Sequence, residues 1–204
     1  MKTITPVIAI LLCGTIFLYS CAASKNSITL QNAEVKNATE GPVSCFVKLN
    51  DGTIKQFNTL KLVTGVLTTP HLLGDDKVVI NSKDIIAYQN NKHYAVSSKI
   101  LTSTKSANVS VETLPGFAVK VLSGKLNVYT RKYYNGNNAA DEYFLQSGND
   151  GYIIAYSKTV MKSMLKEDAK ALEYFNSKTK VSSRSKKILT AVEIYNNGQM
   201  MTKN

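Results

Sequence analysis

From Val43 to Tyr156 apolar and polar residues alternate in short runs, and from Val160 onward the apolar residues recur every three to four positions. This change of period constrains the fold more than any other feature of the chain. A period of two puts successive side chains on opposite faces of a strand, whereas a period near 3.6 gathers them on one side of a helix. Strands first and helices last predict an α+β fold, with antiparallel hairpins and a meander followed by a short C-terminal helical segment. With 204 residues, 44% of them hydrophobic and 19% charged, the chain can fill one core but not two full-sized enzyme domains. No segment repeats at a period of about 20–50 residues, which excludes solenoids and propellers.

The runs VSCFVKL and TIKQF flank Asn50-Asp51-Gly52, a strong hairpin signal. Leu60–Val66 and Lys77–Ile80 read as strands, and Thr68 to Asp76 between them, with Pro70 and Gly74, reads as a loop. A second hairpin, IIAYQ and KHYAV, turns at Asn90-Asn91, two residues that tolerate a left-handed backbone. Residues 98–113 are Ser/Thr-rich and weakly patterned, as expected of a crossing loop. Val119 and Val121 would suit a strand, but Phe117, Ala118, Val121 and Leu122 repeat at helical spacing between Pro115 and Gly124. A short helix is the expectation there. Lys125–Tyr134, Glu142–Gln146 and Tyr152–Tyr156, joined at Asn135–Asn138 and Gly148–Gly151, form a three-stranded meander.

Val160, Met161, Met164 and Leu165 then make an apolar stripe, with Lys158, Lys162, Lys166 and Lys170 on the other side. Asp168 would interrupt that stripe and fits better as an N-cap restarting a second helix through Leu172 and Phe175. A third helix is expected from about Ser185 to Asn197, with Ile188, Leu189, Val192 and Tyr195 on its core side and Gly198 as its stop.

At the N-terminus Lys2 precedes Val7–Leu18 (VIAILLCGTIFL), a run of signal-peptide length and too short for an ordinary membrane span. It leads to Leu18-Tyr19-Ser20-Cys21, followed by Ala22 and Ala23. These residues resemble the lipobox of bacterial lipoproteins, with Leu three places before the Cys and a small residue just before it. Tyr19 departs from the small or β-branched residue usual at its place. The resemblance implies that Cys21 receives a diacylglyceryl group, that residues 1–20 are removed, and that the new amino group is acylated. Ala22, where an Asp would retain the protein at the inner membrane, implies sorting to the outer membrane of a Gram-negative cell. The domain reading is therefore a signal peptide (1–20), a lipidated Cys with a flexible tether (21–41), a single α+β domain (42–198) and a tail (199–204).

Cysteine and charge narrow the function classes. Cys13 leaves with the signal peptide and Cys21 carries lipid, so Cys45 remains alone and no intramolecular disulfide is expected. Cys45 alternates with Val43, Val47 and Leu49 and reads as part of a buried strand face. The mature chain carries 24 basic against 14 acidic residues, a formal +10. Only Arg131 and Arg184 are Arg, and Lys supplies a diffuse, strongly hydrated charge rather than bidentate phosphate or base recognition. A basic surface beside an anionic membrane fits better than a nucleic-acid partner, and Lys158, Lys162, Lys166 and Lys170 are its candidate contacts.

Catalytic signatures are sparse. His71 and His93 have neither a second His at helical spacing nor a Cys pair, so no metal site is expected. Ser-x-x-Lys occurs at Ser163–Lys166, Ser177–Lys180 and Ser183–Lys186, without the companion elements of penicillin-interacting enzymes. The acidic pairs Asp75-Asp76, Asp141-Glu142 and Glu167-Asp168 read as solvated acids at turns or helix ends. Tyr129, Tyr133, Tyr134, Tyr143, Tyr152 and Tyr156 cluster in the meander, where β-propensity accounts for them. The chain reads as a lipid-anchored envelope protein without catalytic residues or cofactor, binding an envelope protein or glycan or supporting the envelope. The alternatives are a lipid-anchored hydrolase using carboxylates and a small-ligand binder.

Overall fold

The computed structural model describes residues 44–102, 112–135, 138–177 and 183–198. The expected signal peptide, Cys21, the tether and the tail after Gly198 lie outside the described residues. Within them the fold is α+β, as the period change predicts.

The Asn50-Asp51-Gly52 signal joins β1 (Cys45–Leu49) to β2 (Ile54–Phe57), closed by Leu49 N–H to Thr53 O at 2.8 Å. β3 (Leu60–Gly65), β4 (Thr68–Gly74) and β5 (Val78–Asn81) then form a separate three-stranded antiparallel sheet. Thr68 to Asp76 is therefore mainly a strand rather than the expected loop, and β4 is the central one. Pro70 is tolerated because β5 pairs no further than His71, while on the other side Pro70 lies at the β3 register shift between Val63 and Gly65. Leu72, fully buried, anchors the strand. Asp75 and Asp76 both have positive φ (49° and 57°), the mirror-image turn that matches strand twist, with Lys77 N–H bonded to Gly74 O at 3.0 Å.

The large sheet adds β6 (Ile85–Gln89), β7 (Tyr94–Ser97), β8 (Leu101–Thr102), β9 (Phe117–Leu122), β10 (Leu126–Asn135), β11 (Asn138–Ser147) and β12 (Ile153–Ala155). Its order is β2-β1-β6-β7-β9-β10-β11-β12-β8, antiparallel except for the β12–β8 pair. The expected meander is β10–β11–β12. Part of the expected crossing loop, residues 103–111, lies outside the described residues, and Leu101–Thr102 of that loop forms β8.

Pro115 to Gly124 is not a helix. Pro115 and Gly116 (φ 79°) make a turn, closed by Phe117 N–H to Leu114 O at 3.1 Å, and the chain then enters β9 between β7 and β10. Phe117 and Ala118 are both buried, one on each face, because this part of the sheet is covered on both sides. Double-sided burial removes the polar half of the alternation and leaves an apolar run that mimics helical spacing.

One face of the large sheet carries two layers. Over β1, β6, β7 and β9 it packs the small sheet, with Cys45, Val47, Tyr88, Ala95 and Phe117 meeting Leu60, Leu72 and Ile80. Over β10 and β11 it packs α1 (Lys158–Leu165), α2 (Ala169–Asn176) and α3 (Arg184–Gly198), where Leu126, Val128, Tyr143 and Leu145 meet Met161, Leu165, Phe175, Ile188 and Val192. The opposite face curls around Ala87, Val96, Leu101, Ala118, Tyr129, Phe144 and Ile153, one residue from each strand from β6 to β12.

The helix boundaries follow their caps. Ser157 accepts from Val160 N–H at 3.1 Å, Asp168 from Ala171 N–H at 2.9 Å and Ser183 from Lys186 N–H at 3.1 Å. Asp168 thus restarts the helix as expected. Gly198 is the last described residue of α3. A Cβ there would stand 2.5 Å from Asp168 Oδ2, so α3 ends close against the carboxylate that caps α2. Asn196 ties α3 to β10, accepting from Leu126 N–H at 2.9 Å and donating to Leu126 O at 3.0 Å.

Candidate functional site

Beside the small sheet the two-layered face leaves a cleft of about 760 Å³. Phe117, Val119, Val121 and Thr130 of β9 and β10 line it, as do Leu60, Leu62 and Thr64 of β3. The Asn90–His93 turn, Glu112 and Thr113 complete it, with Lys61, Lys92 and Lys132 among the lining residues.

The turn is held by its own side chain. Asn90, buried, accepts from both Lys92 N–H and His93 N–H at 2.9 Å, which places His93 just before β7 rather than in the expected strand. Tyr88 Oη lies 3.0 Å from His93 Nε2. Burial pushes the Tyr88 phenol well above its usual range, opposed by a backbone hydrogen bond at Leu114, so the phenol keeps its proton. Burial, reinforced by Lys92, also holds His93 below its usual 6.5, with Glu112 opposing. His93 is neutral at pH 7.

The neutrality of His93 has a consequence for stability. Its folded pKa lies below that of the unfolded chain, so the unfolded chain takes up the proton first as pH falls. The contribution is complete above about 6.5 and declines as pH drops through and below that value. The melting temperature is therefore expected to fall between pH 7.5 and 5, and to fall less in His93→Gln. Parallel curves for the two proteins would show that His93 is not responsible.

Two lysines of the cleft are engaged. Lys61 Nζ is 2.8 Å from Asp76 Oδ1, and Lys132 Nζ is 2.7 Å from Glu112 Oε1. Asp75 Oδ1 accepts from Asn58 N–H and Thr59 N–H, both at 2.9 Å, fixing the turn between β2 and β3. What the cleft presents is an apolar lining edged by lysines, suited to a ligand with an apolar body and polar or anionic groups at its margin.

His71 and His93 do not meet. His71 sits in β4 of the small sheet, its Nδ1 at 2.9 Å from Thr69 O, whereas His93 belongs to the large sheet. Among the described residues no group of three or more His, Cys, Asp or Glu converges on a metal position. Cys45 is free and buried, its thiol donating to Asn91 Oδ1 at 3.0 Å. Lys158 and Lys162 lie on α1, Lys166 follows its last residue and Lys170 lies on α2; all four are exposed. Of the tyrosines, Tyr129 and Tyr143 are buried, Tyr156 lies beneath the Arg184 guanidinium at 4.8 Å, and Tyr152 is exposed. The side chains of Tyr133 and Tyr134 lie outside the described ones. Of the Ser-x-x-Lys occurrences, Ser183 caps α3, Ser163 and Lys166 are exposed, and Lys180 lies outside the described residues.

One acidic pair departs from expectation. Asp141 and Glu142 sit in β11, and only Asp141 is exposed. Glu142 Oε2 accepts from Arg131 Nη2 at 2.6 Å, with the two side chains 9% and 2% exposed, and the guanidinium lies 5.6 Å from the Phe144 ring. The direct cross-strand register of Arg131 with Glu142 was the available signal, because opposite charges facing one another across a hairpin pair.

No family model matches this chain, and no curated protein or solved structure matches it either.

Proposed function

We propose that this chain is a lipid-anchored protein of the bacterial cell envelope, sorted to the outer membrane, whose α+β domain serves as a binding module rather than an enzyme. The observation that carries the reading is Leu18-Tyr19-Ser20-Cys21 at the end of an apolar run of signal-peptide length. The cleft supports the binding part. Its histidine is held below its usual range by burial and lies 3.0 Å from a tyrosine hydroxyl, and its Lys61 and Lys132 are paired with carboxylates. Its apolar lining and cationic margin suit an envelope glycan or protein segment better than acid–base chemistry.

Mass spectrometry of the native N-terminal peptide tests the anchor. Acyl chains on Cys21 and fractionation with the outer membrane are expected, and Cys21→Ala is expected to leave the precursor unprocessed. A soluble product with an unmodified N-terminus would overturn the reading.

The exposed lysines of α1 and α2 extend it. Lys158, Lys162, Lys166 and Lys170 would face an anionic leaflet, each adding about 1 kcal/mol of salt-screened attraction. The unlipidated domain is expected to bind anionic vesicles at low salt and to lose that binding when the four are changed to Gln. Equal binding to neutral vesicles would remove the lysines from the proposal.

A further inference from the structure

The hairpin of β3 and β4 ends in two bulky apolar residues with nothing packed on them. Val66 and Leu67 are fully exposed, at 101% and 100%. Single exposed apolar residues are ordinary, but two adjacent ones at the apex of a hairpin are not. The flanking chain is equally unusual in a protein this basic. From Leu62 to Gly74 there is no Asp, Glu, Lys or Arg, and Thr64, Gly65, Thr68 and Thr69 bracket the apex.

The placement of this hairpin relative to the N-terminus suggests its occupant. Cys45, where the described chain begins its first strand, pairs with Phe57, and Phe57 packs against the backbone of Gly74 at the base of the hairpin. The apex lies six residues along β3 from Leu60, roughly 20 Å at about 3.4 Å per residue. Residues 22–44 join that base to Cys21 and, even fully drawn out, reach about 80 Å. A lipid on Cys21 would therefore keep the apex within about 100 Å of the bilayer, at a high effective concentration. Under that condition a weak, uncharged insertion becomes a populated one.

We propose that the β3–β4 apex is a second membrane contact, with Val66 and Leu67 entering the acyl-chain region of the bilayer that holds the lipidated Cys21. This rests on the lipid-anchor reading for its high local concentration. Burial of each side chain favours the bound state roughly tenfold or more. The lack of charge makes the contact insensitive to salt, unlike the lysines of α1 and α2.

The chain has no Trp, so Leu67→Trp gives a single reporter at an exposed site where folding is undisturbed. The full mature protein would be reconstituted in phosphatidylethanolamine/phosphatidylglycerol vesicles with brominated acyl chains. Expected are a blue-shifted emission and strong quenching that persist at physiological salt and are lost with Val66→Asp. Tyr152→Trp, exposed in the turn before β12, is expected to remain unquenched. If the indole of the Leu67→Trp variant stays unquenched while Cys21 is shown to be acylated, the contact is overturned and the anchor stands. If Cys21 proves unmodified but vesicles still quench that indole, the anchor fails and the contact stands. A shift that follows protein concentration without vesicles would assign the apex to a second copy of the chain and overturn the proposal.

Discussion

Glu142→Gln is expected to destabilise the fold by about 3–5 kcal/mol, the largest effect of any single polar substitution suggested by the structure. The change removes the carboxylate charge 2.6 Å from the Arg131 guanidinium, which remains in place at 2% exposure. Phe144 beneath it cannot replace the lost partner, because a cation over an aromatic ring gains far less than a charge-assisted hydrogen bond. The pair itself need not stabilise the protein. Desolvating two charges offsets most of their attraction, so Arg131→Met with Glu142→Leu is expected to recover most of the loss. Urea denaturation of Arg131→Met, Glu142→Leu and the double variant, beside Glu142→Gln, checks this. Additive losses would show that the two side chains act independently.

Ile188→Ala is expected to cost about 2–5 kcal/mol, and deletion of everything after Lys180 to abolish cooperative unfolding. Ile188, Ala191, Val192 and Tyr195 are buried side chains of α3, and they pack on Leu126, Val128 and Leu145 of the meander as well as on α1 and α2. Without α3 that face of β10 is exposed, and Leu126 loses both backbone hydrogen bonds to Asn196. α1 and α2, at eight residues each, are too short to hold together without a core to cover. Calorimetry of the truncated chain decides the matter. A transition as sharp and as high as the parent's would mean that the helices form a unit of their own.

The cleft was not legible in the sequence. Its residues come from β3, the β6–β7 turn, the segment before β9, β9 itself and β10, and no local pattern connects them. His93 and Tyr88 are five residues apart and, with Tyr88 opposite Ala95, diagonal neighbours across the hairpin, a relation that needs the register to be known. Their contact depends on Asn90 folding its side chain back onto the turn. The buried Arg131–Glu142 pair lay within reach of a register argument, but Glu142 reads as a solvated acid until both strand partners are known.

Local chemistry settled every feature that local chemistry controls. Asn50-Asp51-Gly52 turned a hairpin, Ser157 and Asp168 capped helices, and the shift from a period of two to one near 3.6 marked where sheet gave way to helix. The proposed anchor rests on the sequence alone, since the likeness of Leu18-Tyr19-Ser20-Cys21 to a lipobox is one of residue order. Tertiary structure decided the two segments where a strand is covered on both faces or runs through the middle of a sheet. In β9 burial on both sides erased the alternation, and in β4 neighbouring strands held Pro70 at the one place where no hydrogen bond from it is needed. It also decided that the described residues form two sheets instead of one, because pairing between strands distant in sequence is set by what they jointly bury. No single strand records that in its own residues.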